Sequence, residues 1–277
     1  MTPLQEFLAR SADGDLVAWS QQTVAAEQFG LTCAQVEQAI LESGLMPARY
    51  RRNRAMLSSA QQLVLFRSRV AVIGCGGLGG YLVEELARLG VGTIVALDPD
   101  VFEEHNLNRQ MLATPASLGR NKARAAVSRI AEVNPACTVV PIERRFTPEH
   151  AAELFDRVDV VADGVDSVDI RLELSEACAR LGIPLVSGAI AGWYGQVTTV
   201  LPGDQTIRLL YSHHPTGRGI EARLGNPSFT PAVVASLEAA EVCKLLVGAG
   251  TTLRHRVLLV NLLDMEFESL ALSDTAG

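Results

Sequence analysis

Three glycines, Gly74, Gly76 and Gly79, stand at the spacing of a phosphate-binding turn. Gly74 permits a tight turn. Gly76 has no Cβ, so backbone N–H groups can approach an anion, and Gly79 lets the following helix pack close to the strand. Further on, Asp98 ends an apolar run and is placed to accept hydrogen bonds from ribose hydroxyls. Asp100, Asn106, Asn108, Arg109 and Gln110 crowd the loop after it, and Arg120, Lys122 and Arg124 follow. Two more acids, Asp163 and Asp166, come after a second apolar run. Ahead of the turn, Arg49, Arg51, Arg52, Arg54, Arg67 and Arg69 share one short segment. Amide donors, cations and carboxylates in this order suit the cradling and neutralising of phosphate.

The elements that must position these groups are legible from periodicity. Val70–Ile73 is a short, mostly β-branched apolar run, the pattern of a buried parallel strand. Residues 81–89 form an amphipathic helix stopped by Gly90, and Thr93–Leu97 is a second strand. Strand, glycine turn, helix, strand and acid make a nucleotide-binding βαβ unit. Further strands are expected at 138–142, 158–162 and 184–187, and helices at 122–133, 147–155 (capped by Thr147) and 170–181. A glycine-rich hairpin is expected at 189–200, a long turn-rich loop at 202–231, a helix at 231–247 and a closing strand at 255–263. The fold class is α/β: a Rossmann-like, mostly parallel sheet with helices on both faces and an antiparallel C-terminal extension. Residues 1–48 read as a small helical appendage, with helices at 13–28 and 33–42 separated by Gly30, and residues 49–277 as the main domain.

Composition narrows the function. The chain has 277 residues, 48% of them hydrophobic, and a formal net charge of −7, so nothing draws it in bulk to nucleic acid or to an anionic membrane. No apolar run reaches membrane-spanning length, the acid-bearing first residues are not expected to be a secretory leader, and a soluble cytoplasmic protein is expected. The five cysteines are scattered, with no C-x-x-C pair, and read as free thiols. Ala26, Gly30 and Val36 match helix-turn-helix spacing, but no basic residue occurs from Ser11 to Ala48, so phosphate neutralisation fails there. Packing or partner docking is the better role for the appendage. His213 and His214 are adjacent in the turn-rich loop and read as solvated.

In combination the motifs are more specific than the glycine turn alone. GCGGLGG, LDPDVFEEHNLNRQ, GRNKA, DVVADGVDS and IPLVSGAI, in that order, resemble the ThiF/MoeB/HesA family, bacterial relatives of ubiquitin-activating enzymes. The resemblance runs from about Arg49 to Leu270. It implies ATP in the crevice and adenylation of the C-terminal glycine carboxylate of a small ubiquitin-fold protein ending in Gly-Gly, in thiamine or molybdopterin/tungstopterin synthesis. It implies that Gly74, Gly76, Gly77 and Gly79 face ATP, that Asp98 binds ribose, and that Asn106, Arg109 and Gln110 form a polar loop in which Arg109 neutralises phosphate. Lys122 would contact the phosphates, Asp166 would hold Mg²⁺, and Arg171 matches an arginine in the next helix. Arg52 would reach the ATP of a neighbouring subunit, which implies a homodimer. Composition alone makes the basic segment a linker; the resemblance makes it an arm.

Three departures from the family pattern bear on chemistry. The zinc-binding C-x-x-C pairs of many relatives are missing, so no zinc is expected. Residues 189–242 contain no cysteine, so the reaction is expected to end at the adenylate. Val165 and Ser167 stand where the family has threonine and asparagine beside the magnesium aspartate. Two alternatives stay open: adenylation of another carboxylate, such as a tRNA-linked one, and an NAD-dependent dehydrogenase, which leaves Arg109, Lys122 and Asp166 without roles.

Overall fold

The structure is a computed structural model that describes residues 2–212 and 224–272. The chain opens with α1 (Pro3–Ser11), β1 (Leu16–Val17), α2 (Trp19–Phe29), α3 (Cys33–Glu42) and β2 (Met46–Pro47). The main body follows: α4 (Ser59–Arg67), β3 (Arg69–Ile73), α5 (Gly77–Leu89), β4 (Thr93–Leu97), α6 (Lys122–Val133) and β5 (Thr138–Ile142). After these come α7 (Ala151–Leu154), β6 (Val160–Asp163), α8 (Val168–Leu181), β7 (Leu185–Ala191), β8 (Tyr194–Val200) and α9 (Thr206–Tyr211). Beyond the undescribed stretch lie α10 (Phe229–Val247), β9 (Arg256–Asn261) and β10 (Glu266–Ala271).

Eight strands form one sheet in the order β10-β9-β8-β7-β6-β3-β4-β5. From β5 to β7 the pairing is parallel, and from β7 to β10 it is antiparallel. Strand alternation sends successive side chains to opposite faces. Val70, Val72, Ile94 and Ala96 pack under α5, α6 and α10, while Ala71, Ile73, Val95 and Leu97 pack with α7, α8 and α9. Both faces of the parallel half are therefore covered. The chain runs outward from β3 to β4 and β5, then returns to place β6 on the other side of β3. That reversal opens a crevice at the carboxyl ends of β3 and β6, where ligands bind in open α/β sheets.

The N-terminal residues pack round their own small core of Leu8, Val17, Ala25, Val36 and Ile40. The structure differs from the sequence expectations in five places. A helix over 13–28 gives way to a turn at Gly14 (φ 63°) and the strand β1, which pairs in parallel with β2; α2 begins only at Trp19. Helix α1, held by a Thr2–Gln5 capping box, adds an element ahead of the two expected helices. The helix expected at 147–155 is a short 3₁₀ turn followed by α7, and Thr147 meets the His150 ring rather than capping a helix. The turn-rich loop contains α9, and the closing strand turns back as β10, every residue of which is exposed.

Candidate active site

The glycine turn locks three elements together. Gly74 has φ 88°, its N–H donates to the Leu97 carbonyl at 2.7 Å, and a Cβ on it would stand 2.7 Å from the Gly164 carbonyl oxygen. A Cβ on Gly79 would stand 1.7 Å from the Gly74 carbonyl oxygen. Any side chain there would push α5 off β3. Gly79 thus serves close packing and does not line the cavity, whereas Gly74, Gly76 and Gly77 do. Gly76 is the N-cap of α5, so the first turn of that helix, with its unpaired amides and positive dipole end, borders a cavity of about 930 Å³.

Asp98 lines the same cavity but is only 4% exposed. One of its oxygens accepts from Cys75 N at 2.7 Å and the other from Asp100 N at 2.8 Å. The carboxylate therefore shapes the glycine turn. Burial raises its pKa, and the Lys122 charge and these two amides partly offset the effect. Asn121 caps α6, and its amide donates to the carbonyls of Asp98 and Asp100. Lys122 N also donates to the Asp100 carbonyl. The start of α6 is thus stitched to the loop after β4, which fixes Lys122. Its ammonium is buried at the cavity wall, 3.5 Å from the exposed Asp100 carboxylate.

Arg109 donates to the His105 carbonyl at 3.1 Å and to Asn108 Oδ1 at 2.8 Å. Burial lowers its pKa and the charge of Asp166 opposes that shift, so the cation and this exposed acid face one cavity. Gln110 is 7% exposed and lies beside Gly76, and its Oε1 has no hydrogen-bond partner. Asn106, expected beside them, does not line the cavity. It is buried beneath the loop, where its Oδ1 accepts from Glu103 N and closes a 3₁₀ turn. Arg52 is exposed on a turn away from its own chain's cavity.

The opposite wall holds a network that the motifs only partly reveal. Arg171 Nε donates to Asp163 at 2.6 Å, and Ser187 Oγ donates to the same carboxylate oxygen at 2.7 Å. The guanidinium also donates to the carbonyls of Val165 and Gly188 and to the Tyr211 hydroxyl, which accepts from Gln196 as well. Burial by itself lowers an arginine pKa, but Asp163 and Tyr211 hold that of Arg171 above its ordinary value. Tyr211 and Gln196 carry no sequence signal, because one sits in the turn-rich stretch and the other in a strand. From here the cavity continues over Ala189, Tyr194 and Asn261 to Glu266 and Glu268 on β10. Cys75, Cys137 and Cys178 are buried thiols with raised pKa values, the last two at about 12, and so are poor nucleophiles at neutral pH. His213 and His214 lie outside the described residues.

A glycine turn at the switch point of a Rossmann-like sheet, with cations and an acid on its cavity, defines a nucleotide-binding α/β protein. The match to known proteins is more specific: the model of the ThiF family covers residues 50–276, and the chain belongs to that family. The SAMP-activating enzyme E1 of Haloferax volcanii is 36% identical over 208 residues, covering 74% of this chain and 77% of that protein. The sulfur carrier protein adenylyltransferase of Thermus thermophilus is 36% identical over 214 residues, covering 74% and 79%. The probable adenylyltransferase/sulfurtransferase MoeZ of Mycobacterium tuberculosis is 33% identical over 225 residues, of whose length this chain spans 55%. Among solved structures, E. coli MccB with ATP superposes with TM-score 0.67 at 20% identity, over 92% of this chain and 83% of that one, and shares the fold.

Proposed function

We propose that this protein is an ATP-dependent adenylyltransferase acting on the C-terminal glycine carboxylate of a small ubiquitin-fold sulfur carrier. The observation that carries the reading is the convergence on one cavity of the α5 N-terminus, Lys122, Arg109, Asp166 and the unpartnered oxygen of Gln110. That buried acceptor needs a donor, which the nucleoside part of ATP has and a phosphate lacks. Each Asp98 oxygen keeps a second lone pair for a ribose hydroxyl. Residues 49–277 form the adenylating domain and 1–48 an appendage to it.

In the reaction a carboxylate oxygen of the carrier attacks the α-phosphorus. The bond from that phosphorus to the bridging oxygen breaks, pyrophosphate leaves with the electron pair, and an acyl-adenylate remains. Such steps are accelerated mainly by positioning and charge neutralisation. Lys122 and Arg109 neutralise the phosphate chain, and the first turn of α5 orients it. Asp166 fits Mg²⁺ held by one carboxylate and the phosphates, and the ion would offset the charge that develops on pyrophosphate. Arg171, fixed by Asp163 and Tyr211, sets the wall past which the carrier tail approaches. That tail lies extended over β7 to β10. Arg52, absent from its own chain's cavity, serves the site of a second copy, which makes the working unit a homodimer with two composite sites.

The test is ATP–pyrophosphate exchange with purified protein, Mg²⁺ and candidate carriers. Exchange appears only with a carrier ending in Gly-Gly. Lys122→Ala lowers it roughly 10²- to 10³-fold, the usual cost of one transition-state donor. Titration of the site by NADH but not by ATP makes the protein a dehydrogenase instead.

A further inference from the structure

The arginine arm is anchored from a direction that the adenylating fold does not require. Tyr50 and Leu57, at its two ends, are 1% and 3% exposed. Between them residues 51–56 form consecutive turns, with Asn53 N donating to the Tyr50 carbonyl and Leu57 N to the Asn53 carbonyl, each at 2.8 Å. Arg51 and Arg52 are exposed on these turns and have no ion pair among the described residues.

Arg49, one step before the arm, does not belong to its exposed charge. Its guanidinium lies 3.2 Å from Glu37 of α3, donates to Gln22 of α2 at 2.9 Å and also donates to Asn134 at the end of α6. Its Cζ sits 4.9 Å from the ring centre of Trp19. The Tyr50 hydroxyl donates to Glu37 at 2.8 Å and accepts from Asn134 at 2.8 Å. Asn134 also donates to the Ala87 carbonyl, the last link to the main body. At the outer end of the arm Arg54 pairs with Asp15 of the N-terminal region at 2.9 Å. Glu37 is 1% exposed and Asn134 2%. Burying a carboxylate and a guanidinium is costly, and apolar residues would tether a linker with less penalty. What hydrogen-bonded charges add is direction: each partner fixes the angle of the next.

We infer that the N-terminal helical region is the positioning device for the arginine arm, acting through Glu37, Gln22 and Asp15 on Arg49, Tyr50 and Arg54. This rests on the reading of Arg52 given above. An arginine that must reach a nucleotide on another subunit needs its base held rigidly, because a misplacement of about 1 Å can cost on the order of a hundredfold. The region's acidic surface, with no basic residue from Ser11 to Ala48, then has no nucleic-acid role to fill. Glu37, Gln22 and Asp15 are positioning residues that do not touch the nucleotide.

A double-mutant cycle on the full-length protein tests this, with binding of the ATP analogue AMPCPP with Mg²⁺ measured by titration calorimetry and urea unfolding run in parallel. Arg52→Ala weakens AMPCPP roughly tenfold or more, as loss of a charge-assisted hydrogen bond does. Glu37→Gln keeps the volume and an acceptor for Tyr50 but removes the charge facing Arg49, and weakens binding about threefold to tenfold. In the Arg52→Ala background Glu37→Gln changes it less than about twofold, because the misplaced group is already gone. Arg54→Ala, at an exposed pair with no folding risk, shows the same dependence and carries the test if Glu37→Gln fails to fold. Equal fold-losses with and without Arg52 overturn the inference, since they make the network a general prop. An unchanged affinity in Arg52→Ala alone overturns the reading of Arg52 itself.

Discussion

The ends of β4 and β6 look alike in the sequence: each apolar strand runs into two acids, Asp98 and Asp100 in one, Asp163 and Asp166 in the other. In the folded chain each pair divides its labour in the same way. The first acid is buried and bonded to the protein's own donors, Asp98 to the amides of Cys75 and Asp100, and Asp163 to Arg171, Ser187 and the amide of Val165. The second acid is exposed at the cavity, Asp100 beside Lys122 and Asp166 facing Arg109. The two ends differ in what the buried acid holds. Asp98 holds backbone, and so shapes the turn. Asp163 holds a buried guanidinium, and so shapes a wall. The carboxylate nearest the strand builds the site, and the one a few residues out is free to meet a ligand.

The largest effect should come from breaking the inner acid of β6. Asp163→Asn keeps the shape but removes the charge and turns an amide N–H toward another donor, Val165 N or the Arg171 and Ser187 pair, leaving a buried guanidinium without its counter-charge. Losing one partner of such a pair costs about 3–5 kcal/mol, read as a lowered urea midpoint. An unchanged midpoint with lost exchange activity would move Asp163 from scaffold to chemistry and dissolve the comparison. The outer acid should behave oppositely. Asp166→Asn, at an exposed position, shifts stability by no more than about 0.5 kcal/mol. It lowers pyrophosphate exchange roughly 10²- to 10³-fold, and raising the Mg²⁺ concentration restores little of it. Loss of stability without loss of exchange would refute that assignment.

This division explains what the sequence could reveal. The βαβ unit was legible because its glycines, strand periodicity and helix stop are local signals, and α3, α6, β4 and β5 fall at the expected bounds. The family resemblance names Lys122 and Arg109, and both line the cavity. Which of two neighbouring acids turns inward was not legible, because it depends on Cys75 and Ser187, donors brought in from the glycine turn and from β7. Asn106 misled for the same reason: its hydrogen bond closes a turn whose shape is set by the surrounding loop. The small β1–β2 pair and the exposed β10 lack the length or alternation that would separate them from loops. Arg49 reads as one of several arginines until Glu37 and Asn134, far off in sequence, are seen to claim it.

A further buried carboxylate has far less to hold it than Asp98 or Asp163. Glu238 of α10 is fully buried against β7, and neither of its oxygens has a hydrogen-bond partner. A Cβ on Gly188 would stand 2.3 Å from its Oε2, so the glycine makes room for it, while the Gly188 carbonyl is held by Arg171. Burial pushes its pKa well above the ordinary glutamate value; the Asp163 charge adds to that, and the Arg171 charge and the Gly188 amide oppose it. The folded protein therefore keeps a proton on Glu238 that the unfolded chain releases above about pH 4.5. Between that pH and the folded pKa, the unfolded state binds fewer protons, so stability falls as pH rises, by at most about 1.4 kcal/mol per pH unit. Glutamine cannot ionise, so Glu238→Gln removes this slope. Urea unfolding of both proteins at increasing pH from pH 5 should show the variant gaining on the parent until Glu238 ionises in the folded state. The raised carboxyls of Asp98, Glu37 and Glu85 are common to both proteins and cancel in the difference. Parallel stability curves would mean that Glu238 is ionised in the folded state with a donor of its own, and that it belongs with Asp98 and Asp163 after all.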